Sequence, residues 1–99
     1  MKHFLVELTY TGTPEQVGAV RPAHRTFLQG GYEQGVLLCS GPQNPPTGAV
    51  VIARADSLEA IQTFFANDPY AQAQVARYRF VEFDPVFRQS FLEAWVTGA

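Results

Sequence analysis

Near the start of the chain, Phe4, Val6, Leu8 and Tyr10 share one parity, and His3, Leu5, Glu7 and Thr9 share the other. That period of two predicts a strand over residues 3–10. Thr11-Gly12 ends it, and Thr13-Pro14-Glu15-Gln16 reads as a helix start. Thr13 caps, Pro14 suits the first helical position, and Gln16 completes a capping box. Pro22 lacks an amide donor and crowds the carbonyl four residues back, so a break is expected there after two turns. A second helical segment follows to about residue 34, with Val20, His24, Phe27, Leu28, Gly31 and Gly35 as its stripe. Gly30 and Gly31 each cost about 1 kcal/mol of helix propensity, which points to tight packing or a bend.

Residues 36–40 form a short apolar strand in which Cys39 reads as buried. The segment from Gly41 to Gly48 is turn-rich and stiffened by Pro42, Pro45 and Pro46. Residues 49–54 are apolar on both parities, the mark of a central strand. Asp56 and Glu59 supply the capping pair of a second helix, whose buried stripe is Leu58, Ile61, Phe64 and Phe65. Asn67-Asp68-Pro69 ends it, and Asp68 caps a short further helix from Pro69. Residues 77–84 form the last strand, on which Arg77 and Arg79 share a side suited to binding acids or joining subunits.

The order β-α-β-β-α-β predicts a ferredoxin-like α+β fold: a four-stranded antiparallel sheet with helices on one face. The other face then carries apolar residues that one small domain leaves wet, which argues for a homodimer. In the tail, Val86, Phe87, Phe91, Leu92 and Trp95 find nothing to bury against within one domain. Their recurrence at 87, 91 and 95 suits an ordered helix over residues 86–96 that touches a partner subunit, and the shared parity of the three positions leaves a strand as the alternative. Residues 1–99 read as one domain, with a core over about 2–87 and a C-terminal extension over 88–99.

Composition narrows the function classes. Seven Lys and Arg oppose nine Asp and Glu, and no basic run occurs, so nucleic acid is not an expected partner. One cysteine excludes an intrachain disulfide framework. Glu7 falls too early for a signal-peptide core, which places the protein in the cytoplasm, and no apolar run approaches a membrane span. With two histidines and one cysteine, no metal site is expected within the chain, and no organic cofactor is implied. Phosphate-loop, dinucleotide and EF-hand patterns do not occur.

His24 is the first candidate for chemistry, because imidazole titrates near working pH and serves as general base or acid. It also sits beside the packed stripe, where a hydrogen-bonded packing histidine is the plainer reading. Asp68 is its candidate partner, since a carboxylate on the second ring nitrogen fixes the tautomer and raises basicity. Asp before Pro is equally a standard helix cap. Arg21, three residues before His24, suits an anionic substrate group or a surface ion pair. Ser40 could donate to a ligand, and Gly41 beside it permits close approach. Tyr10, Tyr70 and Tyr78 could line a cleft or simply pack.

These residues together resemble the YciI-like (YCII-related) family of the dimeric α+β barrel superfamily. The segments that carry the resemblance are Arg21-Pro22-Ala23-His24, the run from Gly35 to Pro42, Gly48-Ala49-Val50, Asp56-Ser57-Leu58-Glu59-Ala60 and Asn67-Asp68-Pro69-Tyr70. The resemblance covers about residues 2–87. It implies a ferredoxin-like protomer, a homodimer in which two sheets face each other, and an active-site pair that matches His24 and Asp68. Two departures stand out: a short link between the second and third strands, and a longer tail.

Two functional readings follow, beside a third in which the protein is a structural or interaction module and the pair merely holds the helices together. In one, the protein is a cofactor-independent lyase or isomerase on a small cyclic or phenolic acid. His24 takes a proton, Asp68 orients it, and Arg21, Ser40 or a backbone amide steadies developing oxyanion charge. In the other, the same apolar cavity binds a small organic molecule without turnover, as an accessory protein would.

Overall fold

The computed structural model describes residues 1–98. Four strands form one sheet: β1 (Lys2–Tyr10), β2 (Leu37–Pro42), β3 (Gly48–Ala55) and β4 (Ala76–Phe83). Their order is β2-β3-β1-β4, and all three pairings are antiparallel. Helices α1 (Pro14–Glu33), α2 (Leu58–Ala66) and α3 (Pro69–Gln72) complete the expected βαββαβ order. Val6 lies opposite both Val51 and Phe80, so the predicted parity of β1 sets the faces of its neighbours too. Phe4, Val6 and Leu8 are fully buried, in one cluster with Val17, Ile61, Phe65 and Tyr70 from the helices. The opposite face presents Leu5, Ile52, Val50 and Val81, all half-buried.

The break expected at Pro22 does not occur, because α1 runs unbroken through it. A proline inside a helix costs about 3 kcal/mol, yet α1 is held on both sides of the break point. Its start carries the full capping box: the Thr13 N–H donates to Gln16 Oε1 at 2.8 Å, and the Gln16 N–H donates to Thr13 Oγ1 at 3.2 Å. Val17 is buried before Pro22, and His24 and Gly31 after it. Pro22 itself is exposed, and the space around Gly18, whose carbonyl loses its partner, is open. Packing therefore outweighs local propensity. Gly31 resolves the alternative of packing or bend in favour of packing, since a Cβ there would sit 2.7 Å from Phe64 and 2.8 Å from Leu37. Gly35 leaves the predicted stripe, lying beyond the helix with φ of +74°.

Helix α2 begins one residue later than expected. Ser57, with extended backbone, accepts the Ala60 N–H at 3.0 Å in place of the Asp56–Glu59 pair. Leu58 then falls in the first turn and is exposed, while Ile61 and Phe65 are buried.

Cys39 is exposed, not buried. Leu37 pairs with Ala53 and Cys39 with Ile52, so the register slips by one residue at Leu38. A bulge of this kind reverses the parity of everything after it. Cys39 consequently takes the open face, and Ser40, opposite Val51, turns to the helical face.

The tail forms a single 3₁₀ turn (Ser90–Leu92) and a short helix α4 (Glu93–Thr97), shorter than the helix its spacing predicts. Part of it does find a surface within the chain. The Arg54 guanidinium lies 4.0 Å from the centre of the Trp95 ring, and its Nη1 donates to the Trp95 carbonyl at 2.8 Å. His3 Nε2 lies 3.2 Å from the Val96 carbonyl. The tail thus covers the His3–Arg54 end of the open sheet face, whereas Phe87 stays 96% exposed and Phe91 80%.

Candidate active site

His24 and Asp68 are 44 residues apart in sequence and meet at 2.7 Å, Nδ1 to Oδ1. Their helices bring them together. His24 projects inward from the middle of α1, and Asp68 is the N-cap of α3, where its Oδ1 also accepts the Tyr70 N–H at 3.0 Å. The cap and the histidine contact are therefore one arrangement, with Oδ1 shared between the Tyr70 N–H and His24 Nδ1. Its second oxygen accepts the Tyr78 hydroxyl at 2.7 Å. With no exposure of its own, the carboxylate is surrounded by three donors.

This bonding orients the imidazole. Nδ1–H donates to Asp68, which leaves the Nε2 lone pair free in the neutral ring. Nε2 has no hydrogen-bond partner among the described residues, and His24 lines a cleft of about 260 Å³ between α1 and the β2–β3 side of the sheet. The ring lies flat on Tyr70, centroids 3.8 Å apart.

The cleft gathers most of the remaining candidates. Tyr10, Arg21, Ser40, Gly41 and Tyr70 all line it, as does Arg25. Arg21 lies beside the hydroxyls of Tyr70 and Tyr10, which together raise its pKa and keep it charged. Tyr70 is raised as well, chiefly by burial, so its hydroxyl remains protonated. Ser40 Oγ is 2.6 Å from the Tyr32 hydroxyl, so that pair retains one proton to offer elsewhere. Two arginines and no acid line the cleft, and its floor is Leu28, Ala49 and Val51. The surroundings suit an anion with an apolar body.

Of the three tyrosines offered by the sequence as cleft-lining or packing residues, Tyr78 does not reach the cleft and packs behind Asp68, whereas Tyr32, beside Ser40, is marked by nothing in the sequence. Only the facing of β4 toward α3 reveals the place of Tyr78. Its pKa is driven far up, first by burial and then by Asp68. Arg77 and Arg79 do not join the cleft; Arg79 lies on the open face, 3.5 Å from Glu7. Among the described residues, no three His, Cys, Asp or Glu side chains come together, and no helix is long and apolar enough to cross a membrane.

The YCII-related domain matches residues 1–84, that is, β1 through the end of β4. The chain belongs to that family. Protein YciI of Escherichia coli O6:H1 is 41% identical over 83 residues, covering 74% of this chain and 82% of the relative. Protein YciI of Shigella flexneri matches to the same extent.

Solved structures share the fold at lower identity. One is the 5-chloro-2-hydroxyhydroquinone dehydrochlorinase of Burkholderia phenoliruptrix AC1100, in complex with 2,5-dihydroxybenzoquinone. It is 18% identical with a TM-score of 0.68, over 90% of this chain and 96% of that one. An antibiotic biosynthesis monooxygenase is also 18% identical, with a TM-score of 0.58, over 88% of this chain and all of that one. The family match stops at residue 84, so the tail that docks on Arg54 lies outside it.

Proposed function

We propose that this protein is a cofactor-independent lyase or isomerase acting by proton transfer on a small cyclic or phenolic acid. The observation that carries the reading is the 2.7 Å His24–Asp68 contact with Nε2 left free toward a cationic, largely apolar cleft. Nε2 takes a proton from a C–H or O–H of the substrate. Asp68 stabilises the imidazolium that results, and the face of Tyr70 beneath the ring favours the same cation. The electron pair released moves onto a substrate oxygen, where Arg21 and the Ser40 hydroxyl face the developing charge. Return of the proton to another atom completes an isomerisation, and departure of a leaving group completes a lyase reaction. Gly41 leaves room for the substrate beside Ser40.

The dehydrochlorinase that shares the fold is in complex with a hydroxylated quinone, which supports a ring-sized substrate here. The protomer would function in the cytoplasm as a homodimer, with the open face of Leu5, Val50, Ile52 and Val81 covered by a second copy. Sedimentation equilibrium at micromolar concentration should then give twice the chain mass; a clean monomer would remove the dimer from the proposal.

Binding without turnover is the second reading. It is favoured by the structural duty Asp68 already performs, tying α1, α3 and β4 together through three hydrogen bonds. One experiment separates the two. Hydroxylated aromatic acids, lactones and muconate-like diacids are screened by thermal shift, and each hit is followed by proton NMR in D₂O. A substrate C–H signal that disappears with the wild type and persists with His24→Ala supports catalysis. Hits that bind but never exchange or convert support the binding protein.

A further inference from the structure

Next to the His24 cleft lies a second hollow of about 600 Å³. Its own walls are Thr9, Gly12, Pro14 and Val17 on one side and Pro46 and Thr47 on the other. The two sides are tied by a backbone hydrogen bond, from the Tyr10 N–H to the Thr47 carbonyl at 2.9 Å, so the hollow is built into the fold. Tyr10 and Arg21 line both spaces. They form the partition between a small inner compartment, lined by His24, and a large outer one.

The sizes are unequal in an informative way. A cavity of about 150 Å³ holds benzene. An inner compartment of about 260 Å³ therefore has space for one substituted ring, and the rest of a larger ligand extends beyond it. The outer compartment has more than twice that space, and a monocyclic acid seated at His24 leaves it unused. Pro14, Val17 and Pro46 give it apolar walls, Thr9 and Thr47 add hydroxyls, and Arg21 at the partition is its one charged wall. The charge is thus placed between the two spaces rather than at the far end of either.

We propose that the site takes a two-part organic anion: a ring-sized reacting end in the His24 cleft, an acid group on Arg21 at the partition, and a larger uncharged part in the outer hollow. This rests on the reading of the His24 cleft as the reaction site, and it makes Tyr10, Thr47 and Pro46 determinants of substrate length.

Three carboxylates test it by isothermal titration. Benzoate supplies one ring and the acid. Biphenyl-2-carboxylate carries its acid beside the bond joining two rings, matching the partition. Biphenyl-4-carboxylate has the same apolar area with the acid at one end. The 2-isomer should bind at least tenfold tighter than both others. Thr47→Trp, which fills the outer hollow from an exposed loop, should collapse the ratio of the 2-isomer to benzoate to below twofold; Pro46→Trp serves the same purpose should the first variant fold poorly. Equal binding of the two isomers would mean apolar adhesion and overturn the inference. So would a preference for the 2-isomer that survives both tryptophan variants. If benzoate binds and Arg21→Ala abolishes it, the cleft reading stands whatever the outer hollow does. If none of the three probes binds, the cleft reading falls and the inference with it.

Discussion

The imidazole of His24 lies on the ring of Tyr70 with the planes 14° from parallel. Tyr70 also gives its backbone N–H to Asp68 Oδ1, the atom that holds His24 Nδ1. A single residue thus fixes the face of the imidazole and the carboxylate that orients it. Neither His24, 6% exposed, nor Asp68, fully enclosed, has freedom to rotate away.

His24→Ala should abolish turnover of any substrate the screen identifies, because no other imidazole lines the cleft. Asp68→Asn should lower kcat by at least about tenfold, since the imidazolium loses its counter-charge and the other tautomer gains ground. Asparagine caps a helix about as well as aspartate, so α3 should persist. A fall in kcat with a steady Tm assigns Asp68 to the reaction; parallel losses assign it to structure.

Tyr78 makes stability sensitive to alkali. An unfolded tyrosine ionises near about pH 10, whereas burial and then Asp68 keep the folded one protonated well above that. The resulting stabilisation is fully present below the unfolded value and is lost as pH climbs beyond it. Tyr78→Phe should cost about 1–3 kcal/mol at neutral pH, because a buried carboxylate oxygen loses its donor. It should also flatten the alkaline slope seen in urea unfolding. An unchanged slope would assign the alkaline transition to other groups.

Gly30 and Gly31 should respond oppositely to the same change. A methyl group at Gly30 meets nothing within 4 Å, so Gly30→Ala should stabilise by about 0.5–1 kcal/mol through helix propensity. At Gly31 it would press 2.7 Å from the Phe64 ring and 2.8 Å from Leu37. Gly31→Ala should therefore destabilise by about 1–3 kcal/mol, the cost of overpacking. Chemical denaturation of both variants checks the sign; a stable Gly31→Ala would show that Phe64 and Leu37 yield easily.

Trp95 is the chain's one tryptophan and reports on the tail. Arg54→Met removes the cation over its ring and the donor to its carbonyl, while keeping most of the apolar stem. Such a stacked pair contributes about 0.5–2 kcal/mol. The variant should shift the fluorescence to the red and lower Tm by a few degrees; an identical emission maximum would mean that the tail docks without Arg54.

The sequence determined the layout of this protein because its signals are local. Alternation in residues 3–10, the Thr13–Gln16 capping box and the cap at Asp68 each depend on neighbours a few positions away, and each recurs in the structure. Pro22 misleads for the same reason: propensity counts its missing amide but not the buried Val17, His24 and Gly31 that keep α1 whole. Only the tertiary structure decided the rest. The slip at Leu38 reverses β2, exposing Cys39 and turning Ser40 into the cleft, and no pattern in a five-residue apolar run marks it. The sequence offers Asp68 as the partner of His24 and the family resemblance implies the pair, but the 2.7 Å contact itself depends on how α1 packs against α3. Tyr78 behind them, and Arg54 under Trp95, are likewise products of packing between segments distant in the chain. Local chemistry sets where a helix or strand can begin; the choice of which side chains meet across the molecule belongs to the core that all of them share.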